Sequence, residues 1–116
     1  MEELSDAKLL RVFLGESDKV RHAPLYEAIV LEAKKAGLAG ATAWRGLMGF
    51  GPTSRIRTAK ILDLSVDLPI VVEITDDESK IAAFLPVLDR LLAEANSGGL
   101  ITLEKVQILR YRHGQR

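Results

Sequence analysis

A chain of 116 residues with sixteen acidic and sixteen basic side chains carries no net formal charge; it has two histidines and no cysteine. That length suits one domain, able to bury roughly two-thirds of the surface its unfolded chain exposes. The composition excludes disulfides, thiol nucleophiles and thiolate metal sites, and zero net charge argues against a protein that grips nucleic acid through its phosphates.

The first seven residues form an acidic, polar extension (Met1-Glu2-Glu3-Leu4-Ser5-Asp6-Ala7), unlike a signal peptide. No apolar run reaches the roughly twenty residues of a membrane span, so a cytoplasmic protein is expected. His22 and His113 stand too far apart in sequence to suggest a metal site.

Leu9 to Leu14 is short, apolar and closed by Gly15, the pattern of a buried strand. Gly15 to Ala23 follows as a polar loop. Pro24 suits the first turn of a helix, where its missing N–H costs nothing. Leu25, Ile29, Ala33 and Ala36 recur at helical spacing up to Gly37, a C-capping residue. Ala41 to Leu47 reads as a second strand, and Met48 to Ser54, with two glycines and a proline, as a loop. Arg55 to Leu64 fits either a strand extension or part of one long hairpin loop over 48–64. The segment from Gly51 to Lys60 has no apolar stripe and is expected to be mobile without ligand.

Leu68 to Ile74 is a third strand. Thr75-Asp76-Asp77-Glu78 has the form of a capping box, opening a helix whose stripe is Ile81, Phe84, Leu85, Leu88, Leu92 and Ala95, with Pro86 inside it. Asn96-Ser97-Gly98-Gly99 stops that helix, Leu100 to Leu109 is a fourth strand, and 110–116 is a basic tail.

The order βαββαβ, with right-handed crossovers, predicts an α+β sandwich: a four-stranded antiparallel sheet with both helices on one face. Apolar residues at both parities of the first strand (Leu10, Val12 and Leu14 against Leu9 and Phe13) predict a second cover for the other face. The topology also brings the loops Gly15–Ala23, Met48–Ser54 and Asn96–Gly99 to one edge of the sheet, each rich in glycine or small polar residues. A site is expected there.

Several segments, in order, resemble one family: Gly15-Glu16-Ser17-Asp18-Lys19, Pro24-Leu25-Tyr26-Glu27-Ala28-Ile29, Gly37-Leu38-Ala39-Gly40-Ala41-Thr42, Arg45-Gly46, Gly49-Phe50-Gly51, Leu64-Ser65, Asp67-Leu68-Pro69, Phe84-Leu85-Pro86 and Glu104-Lys105-Val106. On these the chain resembles the PII-like family of domain of unknown function 190, over nearly its whole length. The resemblance implies a ferredoxin-like fold, a homotrimer, and kinship with nitrogen-regulatory PII proteins. In those relatives the loop between the second and third strands signals to a partner protein, and an adenine nucleotide sits at its base between subunits. It further implies a regulatory protein rather than an enzyme. ATP, ADP or AMP would be an effector and not an obligatory cofactor, and a membrane channel or transporter would be a candidate partner. Two departures stand out: Ile70, Val71 and Val72 replace the phosphate-binding lysines of PII proteins, and no tyrosine lies between Gly51 and Leu68.

The residues expected at the site each admit two readings. Gly46, Gly49 and Gly51 suit either a phosphate-cradling backbone or a hairpin needing positive φ. Arg45, Arg55 and Arg57 suit a phosphate clamp or a solvated loop face, and Phe50 an adenine cover or a loop anchor. Gly98 and Gly99 lie in the loop expected to meet them, and with PII-type lysines missing the hairpin arginines are the cations that remain. Arg110 and Arg112 would substitute if a neighbouring subunit delivers them. Glu16 and Asp18 have no nucleophile or histidine beside them, so capping and solvation are expected of them. RNA recognition is disfavoured because strands one and three lack base-stacking aromatic pairs. A trimeric docking module without ligand is the alternative.

Overall fold

The computed structural model describes residues 5–52, 55–59, 67–112 and 114. In chain order its elements are β1 (Ser5–Gly15), β2 (Lys19–Val20), β3 (Ala23–Pro24), α1 (Leu25–Lys35), β4 (Ala41–Arg45), β5 (Met48–Gly49), β6 (Arg57–Thr58), β7 (Pro69–Asp77), α2 (Glu78–Glu94) and β8 (Leu100–Ile108). The long strands form one antiparallel sheet in the order β4-β7-β1-β8. This is the expected βαββαβ arrangement, with β4, β7 and β8 as its second, third and fourth strands.

Register decides which residues form the core. Leu10 pairs with Ile74, Val12 with Val72 and Leu14 with Ile70, and all six are buried under the helices. α1 contributes Leu25, Ile29 and Ala33, and α2 contributes Ile81, Phe84, Leu88, Leu91 and Leu92. Their i, i+3, i+4, i+7 spacing places each set on one helix face. Pro86, inside α2, sits on the exposed side.

Both helices end in the same hydrogen-bonded turn. The N–H of Leu38 donates to the Ala33 carbonyl and that of Gly37 to Lys34, both at 3.1 Å. In α2, Ser97 donates to Leu92 at 3.0 Å and Asn96 to Ala93 at 3.1 Å. The left-handed residue that closes this motif is Gly37 (φ 79°) in one helix and Asn96 (φ 52°) in the other.

Three local expectations are corrected. Thr75 does not cap α2: β7 runs on to Asp77, Thr75 pairs with Leu9 in the ladder, and the helix starts without a side-chain cap. Asp76 is instead buried, accepting the Ala39 N–H at 2.9 Å and the Asp77 N–H at 2.6 Å, and so ties the α1–β4 loop to the end of β7. The polar loop after β1 contains a hairpin, β2 against β3, whose two turn residues Arg21 (φ 50°) and His22 (φ 68°) are both left-handed. That is the mirror-image turn whose twist matches paired strands. Finally, the 48–64 segment is not all loop. Met48 pairs with Thr58 and Gly49 with Arg57, making a short ribbon; residues 53–54 and 60–64 of it lie outside the described ones.

The face of the sheet away from the helices is open. One cross-strand row on it, Trp44–Val71–Phe13–Leu100, is apolar across all four strands, with Trp44 57 %, Phe13 37 % and Leu100 56 % exposed. Beside it Glu73 accepts from Trp44 Nε1 at 2.6 Å and from Arg11 Nε at 2.9 Å, and Arg11 also pairs with Glu104. Those carboxylates raise the Arg11 guanidinium above its ordinary value, hydrogen bonding to Glu73 contributing most. No helix among the described residues is long and apolar enough to cross a membrane.

Candidate functional site

The glycine-rich loops do meet at one end of the sheet, because Gly15 pairs with Pro69, Arg45 with Ile70 and Phe13 with Leu100. Gly46 follows β4 and donates its N–H to the Pro69 carbonyl at 2.7 Å. A Cβ there would stand 2.9 Å from Cγ of Pro69, and one at Gly49 would stand 3.4 Å from the same atom. Gly99 passes the Phe13 carbonyl so closely that a Cβ would lie 2.8 Å from its oxygen, and Gly98 faces Pro52. None of Gly46, Gly49, Gly51, Gly98 and Gly99 takes a left-handed φ. The reading of a hairpin needing positive φ is therefore corrected. Gly46 and Gly99 are small because neighbouring chain comes close, whereas a Cβ at Gly49 would make only an ordinary contact, and the Gly46 N–H is already in use within the fold.

The charged groups at this end are ordered by three carboxylates. Asp18 Oδ2 accepts from the Gly15 N–H at 3.2 Å and from Ser97 Oγ at 3.0 Å, joining the loop after β1 to the loop after α2. Glu16 pairs through Oε2 with Arg45, while its Oε1 faces the Leu68 N–H at 3.5 Å. Asp67 pairs through Oδ2 with Arg57, and its Oδ1 accepts the Ser17 N–H at 2.9 Å. Glu16 and Asp18, expected in capping and solvation, thus each hold a partner from a neighbouring segment, Glu16 as an ion pair and Asp18 as a link between two loops. The role of Asp67, on the far side of the hairpin, has no local sequence signal.

Of the residues expected to bind, Arg45, Gly46, Gly49, Arg57, Gly98 and Gly99 lie at this end with partners from neighbouring loops. Phe50 is 72 % exposed among the described residues, so the reading of a buried loop anchor does not describe it there. Among the described residues Gly51 has open space around it and Arg55 is exposed. The tail arginines are elsewhere. β8 ends at the opposite end of the sheet, where Ile108 pairs with Ser5, roughly 27 Å away by strand rise, so Arg110 and Arg112 meet the glycine-rich end only from another copy. At that far end the tail crosses the open face: Tyr111 Oη donates to the Ala39 carbonyl at 2.9 Å. It closes over an open concavity lined by Leu9, Thr42, Thr75, Val106, Ile108 and Arg110. Among the described residues no group of three or more His, Cys, Asp or Glu is placed to hold a metal ion.

This geometry accords with comparisons to known proteins. The family model of domain of unknown function 190, described as "Uncharacterized ACR", matches residues 7–108. A UPF0166 protein of Aquifex aeolicus (strain VF5) is 41 % identical over 102 residues, covering 88 % of this chain and 92 % of its own. A UPF0166 protein of Methanocaldococcus jannaschii is 34 % identical over 97 residues, covering 84 % and 86 %. Among solved structures, the nitrogen regulatory PII-like protein CPII of Thiomonas intermedia K12, bound to ADP, AMP and bicarbonate, superposes with a TM-score of 0.70 at 19 % identity, over 93 % of this chain and 92 % of that one. A putative PII-like signaling protein of Thermus thermophilus gives 0.61 at 22 % identity, over 92 % and 93 %. The chain is thus a member of the domain of unknown function 190 family, with the ferredoxin-type fold of PII-like proteins.

Proposed function

We propose that this protein is a PII-like regulator that binds an adenine nucleotide between the subunits of a homotrimer and signals through the 48–64 segment to a partner protein. The observation that carries this reading is the convergence of Arg45, Arg57 and closely packed glycines at the base of the β5–β6 ribbon, on a fold whose solved example CPII holds ADP and AMP. Guanidinium groups match phosphate oxygens in pairs, and the backbone of Gly49-Phe50-Gly51 leaves room for a close approach. The phosphates sit there, with Arg55 and the loop Ser97-Gly98-Gly99 beside them.

A nucleotide also needs an apolar surface for its base. The open-face concavity provides one, with Thr42 and Thr75 among its lining. It lies a strand's length from the glycine-rich end, so both contact one nucleotide only when a second copy is present. The exposed apolar row of the open face supports that assembly, and the exposed Phe50, just after β5, supports the partner contact.

Calorimetric titration with ATP, ADP and AMP, with light scattering on the same samples, tests the reading. Saturable binding to a trimer is the expected result. A trimer that binds none of them is the docking module without ligand, and a monomer that binds none overturns both.

A further inference from the structure

From the two ion pairs at the glycine-rich end we infer that Glu16 and Asp67 are internal occupants of the anion site, which an incoming phosphate must displace from Arg45 and Arg57. This rests on the site proposed above. Each carboxylate divides its oxygens in the same way. In Glu16, Oε2 meets the Arg45 guanidinium and Oε1 faces the Leu68 N–H. In Asp67, Oδ2 meets Arg57 and Oδ1 holds the Ser17 N–H. One oxygen of each therefore stands where an oxygen of a bound anion would stand, while the other faces a backbone N–H, closely in Asp67 and at the limit of a hydrogen bond in Glu16. Displacement leaves that backbone contact in place, so it strands no buried polar group.

The two pairs differ in what they restrain. The Glu16 N–H donates to the carbonyl of Leu68, the residue just before β7, at 2.9 Å, and β7 pairs with β4, so the Glu16–Arg45 pair links segments already tied together. Arg57 lies on β6, half of a ribbon of two paired positions. Asp67 is thus a clasp on the ribbon, and an anion that takes Arg57 from it releases the clasp. Ligand arrival and ribbon release are one exchange of partners.

Charge makes the consequence opposite to ordinary loss of a polar contact. With Glu16 and Asp67 in place, two of the nearby cations are already neutralised, and an approaching phosphate meets two like charges. Glu16→Gln and Asp67→Asn keep the shape and remove the charge. Each is expected to tighten ADP binding about three- to tenfold at fixed ionic strength, by calorimetry, with inorganic pyrophosphate following the same order. Without any ligand, Asp67→Asn is expected to speed tryptic cleavage after Arg57 severalfold, mapped by mass spectrometry, whereas Glu16→Gln leaves it unchanged. ADP affinity unchanged or weakened in both variants overturns the displacement. Unchanged cleavage in Asp67→Asn overturns the clasp. No ADP or pyrophosphate binding by parent or variants, with faster cleavage in Asp67→Asn, overturns the nucleotide site and the displacement but supports the clasp.

Discussion

Gly46 lies against Pro69: its N–H donates to the Pro69 carbonyl at 2.7 Å, and the Pro69 ring fills the place where a Cβ would project. A methyl group there, 2.9 Å from Cγ, forces β4 and β7 apart where the ribbon begins. Gly46→Ala is expected to lower stability by about 1–3 kcal/mol, as overpacking does. Gly51→Ala, with open space and no left-handed φ, is expected to be neutral or to gain up to about 1 kcal/mol through the unfolded state. Urea unfolding midpoints of the two variants separate these outcomes.

The two helix ends offer a matched test of backbone conformation. Gly37→Ala puts a Cβ on a residue at φ 79° and is expected to cost about 1–2 kcal/mol. Asn96→Gly, at φ 52° in the same motif, is expected to be neutral or slightly stabilising, by a few tenths of a kcal/mol. Thermal unfolding followed by circular dichroism should order the proteins Asn96→Gly, parent, Gly37→Ala, from most to least stable.

In the proposed trimer the row Trp44–Val71–Phe13–Leu100 is covered by neighbouring copies. A Phe13→Asp, Trp44→Asp variant is expected to scatter light as a monomer at micromolar concentration, since burying unpaired carboxylates costs several kcal/mol each. Its far-UV spectrum should stay that of the parent, because neither side chain belongs to the buried cluster under the helices. A parent that is already monomeric rules out the trimer.

The nucleotide site predicts its own loss. Removing charge-assisted phosphate contacts is expected to cost about 1.5–3 kcal/mol, or roughly ten- to a hundredfold in affinity. Arg55→Ala with Arg57→Ala should therefore weaken ADP binding by that factor while the assembly persists. Unchanged affinity in this double variant would move the phosphates to the tail arginines Arg110 and Arg112 of a neighbouring copy.

Acid should loosen one tie between the β2–β3 hairpin and α2. Arg21 donates to Glu94 through two nitrogens, at 2.9 and 3.0 Å. That hydrogen bonding, ahead of the Coulomb attraction, holds the Glu94 carboxyl below the usual carboxylate range. A lowered folded-state pKa means the contribution is complete at neutral pH, above the unfolded value, and is lost as pH falls through the folded one. Both groups are exposed, so the effect is small. Between about pH 5 and pH 3 the parent should lose more stability than Arg21→Gln, and denaturant titrations that run parallel would remove the pair from the acid response.

The sequence by itself determined the periodic elements and their order. Period-2 alternation in Ile70, Val72 and Ile74 and the stripe Ile81–Phe84–Leu88 each dictate a buried face, and a βαββαβ order leaves few ways to bury them all. The ordered segments from Gly15 to Val106 were enough to name the family. What only the tertiary structure decided are contacts between residues far apart in the chain. Thr75 has the spacing of a cap, but the ladder with Leu9 claims its backbone first, because a paired strand satisfies more groups than a single cap. Asp76 carries no mark in sequence of its bond to Ala39, nor Asp67 of its ties to Ser17 and Arg57. The glycines at 46 and 99 looked like turn residues, yet their smallness is required by Pro69 and by the Phe13 carbonyl. Local pattern specifies which face a residue presents; which neighbour meets that face is set by register and loop convergence, and the site is built from those meetings.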